Sequence, residues 1–182
     1  AAESSETILS NIMDNDHYLP ELSERMLAAA QMVTPGNRLA DIGCDHGYIS
    51  IYLYRTGRCP KCIAADVNEG PLEGAKRNTE LFDAASGVET RLSDGLKAFA
   101  PGEADTILIT GMGGNLMERI LEEGRDIVLS AKEIIAEPQS DPQKVRKCIC
   151  SMGFTVAAED FVTECGKYYP VIRAVKSEKG QS

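Results

Sequence analysis

The stretch Arg38-Leu39-Ala40-Asp41-Ile42-Gly43-Cys44-Asp45-His46-Gly47-Tyr48-Ile49-Ser50 constrains the fold more than any other part of the chain. A short apolar run ends in a carboxylate, glycines follow at positions 43 and 47, and a helical apolar pattern then begins at Ile49, Ile51 and Leu53. The order is strand, tight turn, helix. Gly43 turns the chain where a Cβ would clash, and Gly47 lets the helix start approach whatever lies on the turn. A helix N-terminus offers free N–H groups and a partial positive charge, which suit an anionic group on a small ligand. An ordinary βα corner uses the same glycines, so this turn alone does not name a ligand.

The same alternation continues along the chain. From Pro20 the residues Leu22, Met26, Ala29, Ala30 and Val33 recur at helical spacing, and Thr34-Pro35-Gly36 stops that helix. Strands are expected over 38–42, 62–67, 88–92, 104–110 and 132–136, with helices over 46–56, 71–83 and 141–151 and another after Gly114, in which Leu116, Ile120 and Leu121 share one side. Residues 154–163 and 168–175 are β-rich and close enough to pair as an antiparallel hairpin. Strands alternating with helices give an α/β fold, a doubly wound, mainly parallel sheet covered on both faces, Rossmann-like in its layout. No internal repeat or linker divides the sequence. It reads as a polar leader over 1–18, one domain over 19–176 and a short tail over 177–182.

Composition excludes some classes of function. A net charge of −9 disfavours non-specific nucleic-acid binding by the whole surface. The basic groups Lys76-Arg77 and Lys144, Arg146, Lys147 read as solvated helix faces. No apolar run is long enough to cross a bilayer, and the N-terminal residues lack the basic-then-apolar order of a signal peptide. The six cysteines are scattered through apolar segments and read as reduced thiols of a cytoplasmic protein. Cys59-Pro60-Lys61-Cys62 has no second pair at zinc spacing and leads into a strand instead of opening a helix, so neither metal binding nor redox exchange is expected.

In open α/β sheets, ligands sit beyond the carboxyl ends of the strands. Four such ends here carry acids or glycines: Asp41-Ile42-Gly43, Asp66, Asp94-Gly95 and Gly111-Met112-Gly113-Gly114. Asp66 stands about twenty residues past the glycine turn, placed to accept hydrogen bonds from two ribose hydroxyls. An acid there serves NAD and S-adenosylmethionine alike. The turn discriminates, because a pyrophosphate wants G-x-G-x-x-G, whereas Gly43-Cys44-Asp45-His46-Gly47 puts a carboxylate in its path. The ammonium and sulfonium of S-adenosylmethionine favour nearby acids such as Asp41 and Asp45. Asp94 is able to accept from the adenine amino group, with Gly95 supplying a backbone contact, although Asp-Gly is also a common turn former.

The blocks Asp41 to Tyr48, Val67-Asn68-Glu69-Gly70-Pro71, Ser93-Asp94-Gly95-Leu96 and Gly111-Met112-Gly113-Gly114 resemble the bacterial tRNA (adenine-22) N1-methyltransferase family. Leu22-Ser23-Glu24-Arg25-Met26 and Gly166-Lys167-Tyr168-Tyr169 also fit its two ends. The resemblance runs in one order from about residue 20 to 175. It implies a class I methyltransferase sheet ending in an antiparallel hairpin, with S-adenosylmethionine as methyl donor and tRNA as acceptor. By motif position it implies a cofactor site of Asp41, Gly43, Cys44, Asp45, His46, Gly47, Asp66, Val67, Asn68, Asp94 and Gly95. Arg25 would close that site from the first helix, and Gly111, Met112, Gly113 and Gly114 would border the methyl and the target base. Two features depart from the family pattern. Members continue past the hairpin into a helical extension that this sequence, ending at Ser182, does not include. The fifth strand ends Glu137-Pro138 where Gln-Pro is expected, adding negative charge near the acceptor.

N1 of neutral adenine carries a lone pair and no proton at pH 7, so attack on a sulfonium methyl needs no general base. Positioning then has to supply the acceleration, which agrees with the absence of a His/Ser or Cys/His constellation. His17 lies in the leader, and His46 reads as a helix-start residue touching the cofactor. Cys44 reads as a small turn residue. Tyr48, Tyr168 and Tyr169 read as core residues, each with the alternative of holding the target base. Two other functions compete: a nicotinamide-dependent oxidoreductase, and a module that binds S-adenosylmethionine or RNA without turnover.

Overall fold

The computed structural model describes residues 19–178. The leader over 1–18, with His17, and the end of the tail, 179–182, lie outside the described residues. Seven strands form one sheet in the order β3-β2-β1-β4-β5-β7-β6. Strands β1 (Leu39–Ile42), β2 (Cys62–Asp66), β3 (Val88–Leu92), β4 (Thr106–Met112) and β5 (Glu133–Pro138) run parallel. β6 (Phe154–Glu164) and β7 (Lys167–Lys176) form a hairpin whose second strand pairs antiparallel with β5. The hairpin turns at Cys165 and Gly166, both in the left-handed region at φ 51° and 74°. That pair of angles matches the strand twist of a two-residue hairpin.

Alternation along the central strands sorts two cores. Ala40, Ile42, Ile63, Ile107, Ile109, Ile134 and Ala136 face one side, with Met117, Leu121, Val145 and Ile149 packed on them from the helices α4 (Gly114–Glu123) and α6 (Pro142–Ser151). Leu39, Cys62, Ala64, Leu108 and Ile135 face the other, under Ala29, Ala30, Ile51, Leu53, Leu72 and Ala75 from α1 (Glu24–Met32), α2 (Tyr48–Arg55) and α3 (Glu69–Leu81). A sheet buried on both faces needs nearly continuous apolar strands, and β1, β2 and β5 are buried at every position.

Several boundaries differ from the sequence expectation. The first helix begins at Glu24, not near Pro20, because Ser23 caps it, its Oγ accepting from the Met26 N–H at 3.3 Å. β4 continues two residues beyond Thr110 through a bulge, and β5 runs on to Pro138. A separate helix α5 (Arg125–Ser130) follows Gly124. The inward face of α4 is Met117, Ile120 and Leu121, while Leu116 is 38 % exposed. Tyr168, expected in the core, is 76 % exposed on the hairpin. Cys59 and Cys62 are buried, and Cys62 opens β2.

The amino end of the sheet is fastened by one buried acid. The Glu133 carboxylate accepts from the Thr34 N–H at 2.9 Å, the Thr34 hydroxyl at 2.5 Å, the Thr106 hydroxyl at 2.8 Å and the Arg173 Nε at 2.8 Å. It thereby joins the exit of α1 to β4, β5 and β7. Removing it strands a guanidinium and two hydroxyls in a site 1 % exposed at the acid. Glu133→Ala is expected to lower the unfolding free energy by about 2–4 kcal/mol in urea titration, with the slope unchanged.

Candidate active site

The carboxyl ends of β1, β2, β4 and β5 open into one cavity of about 460 Å³. This falls in the size range of small-molecule sites. From β1 and its turn come Asp41, Gly43, Cys44 and Asp45; from β2 come Asp66, Val67 and Asn68. β4 contributes Thr110, Gly111 and Met112, and β5 contributes Glu137 and Gln139. Arg25 and Met26 of α1 close one side, with Ile49 and Leu116 on the walls.

Hydrogen bonding explains the shape of the glycine turn. The Gly43 and Cys44 N–H groups both donate to the Ala65 carbonyl, each at 2.9 Å, which bends the chain sharply off the end of β1. Gly43 sits at φ 70°, and a Cβ there would fall 2.4 Å from Met112 Cε. The left-handed backbone angle is what calls for glycine here, since a Cβ would displace only the mobile end of Met112. Asp45 adopts φ 54°, which Asp tolerates better than most residues. Its N–H donates to Asp66 Oδ2 at 3.1 Å, while the Asn68 N–H donates to Asp66 Oδ1 at 2.9 Å. Asp66 therefore holds the loops after β1 and β2 in register with each other. Each of its oxygens keeps a second lone pair for a ligand.

Asp41 is 1 % exposed and accepts from the Ser50 hydroxyl at 2.7 Å. Burial pushes its carboxyl up to about 7, the charges of Asp66 and Asp45 push the same way, and the Ser50 hydrogen bond only partly opposes them. Burial also pushes the Cys44 thiol up, which leaves it a poor nucleophile.

On the opposite side Arg25 reaches over the cavity from α1. Its Nη1 donates to Glu137 Oε1 and its Nε to Glu164 Oε2, both at 3.1 Å, and its guanidinium lies 5.2 Å from the centre of the Tyr169 ring. The Glu137 side chain is fully buried, and its second oxygen accepts the Gly111 N–H at 2.8 Å. Sequence reasoning noted the charge of Glu137 but left it out of the site. Met26, Ile49, Thr110, Leu116 and Gln139 were missed altogether. Glu137 is a strand-end acid like Asp41 and Asp66, so the same rule finds it once β5 is known to extend past Ala136. The apolar wall residues carry no signal that separates them from core.

Some expected residues stand apart from the cavity lining. His46 turns toward α3, where its Nδ1 lies 2.5 Å from where a Cβ on Gly74 would be, and its carbonyl accepts from the Asn78 amide at 3.0 Å. Gly47 caps α2 and faces Ala75. The Asp94 carboxylate is turned to Lys97 Nζ at 2.9 Å, and Gly95 faces Ile120. Gly113 caps α4, and the Gly114 N–H donates to the Ser140 carbonyl at 2.9 Å. Turn chemistry and helix packing account for these positions. Among the described residues no cluster of three or more His, Cys, Asp or Glu side chains is arranged to hold a metal ion, and no helix is long and apolar enough to cross a membrane.

A family model described as a methyltransferase domain matches residues 22–172. The chain belongs to that family. Within it, the tRNA (adenine(22)-N(1))-methyltransferase of Bacillus subtilis is 33 % identical over 159 residues, a match covering 87 % of this chain and 67 % of that protein. A Streptococcus pneumoniae protein solved in complex with S-adenosyl-L-methionine superposes with a TM-score of 0.83 at 33 % identity, covering 89 % of this chain and 76 % of that one. The M. capricolum TrmK structure in complex with S-adenosyl-homocysteine gives 0.77 at 27 % identity, covering 88 % and 72 %. The doubly wound sheet with its terminal hairpin is thus the methyltransferase fold.

The buried Asp41 has a measurable signature. Its folded value near 7 lies above the ordinary 3.8, so the folded state holds its proton longer than the unfolded chain does. The cost of ionising it is absent below about pH 4 and complete above about pH 7. Asp41→Asn, which keeps an acceptor for Ser50, is expected to gain stability over the parent as pH rises from 4 to 7 and to hold that gain to pH 8. Thermal unfolding of both proteins across this range checks it.

Proposed function

We propose that this chain transfers the methyl group of S-adenosyl-L-methionine to N1 of adenine 22 in tRNA, which makes the cytoplasm its place of work. The observation that carries the reading is the charge of the cavity. Three acids, Asp41, Asp45 and Asp66, gather on its glycine-turn side, while across from them the Glu137 carboxylate is matched by the Arg25 guanidinium, all on a methyltransferase framework. Such a lining suits a cationic nucleoside without phosphate and repels a diphosphate.

S-adenosylmethionine, when bound, supplies a methyl group on a positively charged sulfur. Asp66 has the free lone pairs to accept two ribose hydroxyls. Val67, 58 % exposed beside it, offers an apolar face to a base. Asp45 sets negative charge against the ammonium and sulfonium, and a cation there favours ionisation of the buried Asp41 beside it. Asp94 holds Lys97 through Oδ2, which leaves Oδ1 to accept from the adenine amino group. Gly111 and Met112 stand on the acceptor side, with Gly113 and Gly114 opening the helix behind them. No side chain has to remove a proton from N1, and a lone pair attacking a sulfonium carbon needs no Lewis acid. The chain's task is alignment of donor and acceptor, with carbonyl or carboxylate oxygens facing a base that becomes cationic.

The test is incubation with labelled S-adenosylmethionine and an unmodified tRNA transcript, followed by nucleoside analysis. N1-methyladenosine at position 22 is the expected product, and cofactor binding without transfer to any tRNA would sink the enzymatic reading. Asp66→Ala is expected to weaken cofactor binding by about tenfold or more, whereas Cys59→Ala, outside the cavity, leaves it within about twofold. Calorimetric titration reads both.

A further inference from the structure

Glu137 occupies a position where a carboxylate is costly to keep. Its side chain is fully buried, and burial pushes its carboxyl above the usual range, against the pull of the Gly111 N–H and Arg25. Replacing a buried ion pair by apolar groups is often neutral or stabilising, so its presence calls for a use. The pairing of β4 with β5 supplies one. Thr110 pairs with Glu137 and Met112 with Pro138, leaving Gly111 as the extra residue of a bulge. A bulged residue loses its ladder partner, and the Glu137 side chain takes the place of that partner by accepting the Gly111 N–H.

The bulge has a consequence at the cavity floor. Gly111 adopts φ 74°, the Met112 carbonyl accepts the Gln139 N–H at 2.8 Å, and the Met112 methyl lies against Gly43. The conformation of β4 thus reaches the glycine turn after β1 through one side chain. The other oxygen of Glu137 anchors Arg25, which Glu164 and Tyr169 hold from the hairpin. One carboxylate joins the first helix, the bulge and, through Arg25, the hairpin around the side where the acceptor base would enter.

We propose that Glu137 is a positioning residue for methyl transfer: by accepting the Gly111 N–H it holds the β4 bulge, and so Met112, in the arrangement that aligns the acceptor base. The proposal rests on the methyltransferase reading above, which assigns β4 to the acceptor side. A hydrogen bond with this role needs an acceptor oxygen at the right reach more than it needs a charge.

The experiment compares E137Q, E137D and E137A in transfer to an unmodified tRNA transcript, with cofactor affinity measured separately. E137Q keeps an oxygen at the same reach and is expected to hold kcat within about fivefold of the parent, while E137D and E137A lose about fiftyfold or more. Cofactor Kd should stay within about threefold in all three. Amide exchange at Gly111 should quicken in E137D and E137A and stay slow in E137Q. If E137A does not fold, the contrast between E137Q and E137D decides alone. Equal loss in E137Q and E137D, or loss of cofactor affinity in step with kcat, overturns the role. Unchanged kcat in E137D and E137A with an active parent overturns it while leaving the methyltransferase reading intact. An inactive parent overturns that reading and this role together.

Discussion

A parallel sheet runs out of backbone partners at its carboxyl edge, and the structure at this edge is a set of answers to that shortage. The loops leaving β1 and β2 have N–H groups beyond the regular ladder. The Ala65 carbonyl of β2 takes those of Gly43 and Cys44, and the Asp66 carboxylate takes those of Asp45 and Asn68, which no strand accepts. Glu137 takes the Gly111 N–H left over by the bulge. Two of the cavity's acids, Asp66 and Glu137, therefore satisfy the backbone and line the site at once. For these two, building the loops and shaping the site are one physical act, which explains their place at the strand ends.

The sign of that charge decides what the cavity accepts. Nucleotide sites of the dinucleotide type keep their glycine turn free of acids so that a pyrophosphate lies on the backbone. In this chain Asp45 stands on the turn and Asp41 beneath it, Asp41 buried enough that its own ionisation is resisted. A cation entering the site would relieve the mutual repulsion of these groups, while an anion would add to it. Arg25 does not reverse the balance, because Glu137 and Glu164 already claim its donors. The oxidoreductase alternative thus conflicts with the electrostatics of the turn as well as with its glycine spacing.

The glycine turn, the alternation of strands and helices, and the acids at 41 and 66 were legible because each follows from local chemistry. A tight turn at positive φ favours glycine, and a strand buried on both faces is mostly apolar, with its acids at or near the ends. The ends of β4 and β5 were less legible. A bulge at Gly111 and a strand continuing into Pro138 are properties of pairing between distant segments, and no periodicity within either segment announces them. Glu137 was hidden behind that boundary. His46 and Asp94 show the converse, since both sit in motifs that point to the ligand while their side chains face α3 and Lys97.

The sequence by itself determined the class of fold, the edge of the sheet that would carry the site and the charge that edge would bear. These depend on residue type and short-range spacing. Only the tertiary structure decided which acids share a cavity, how Arg25 crosses from the first helix to Glu137, and that Gly111 hangs from a carboxylate on the next strand. Such facts depend on register and on side-chain direction across the sheet, which are settled when separate elements pack and not before.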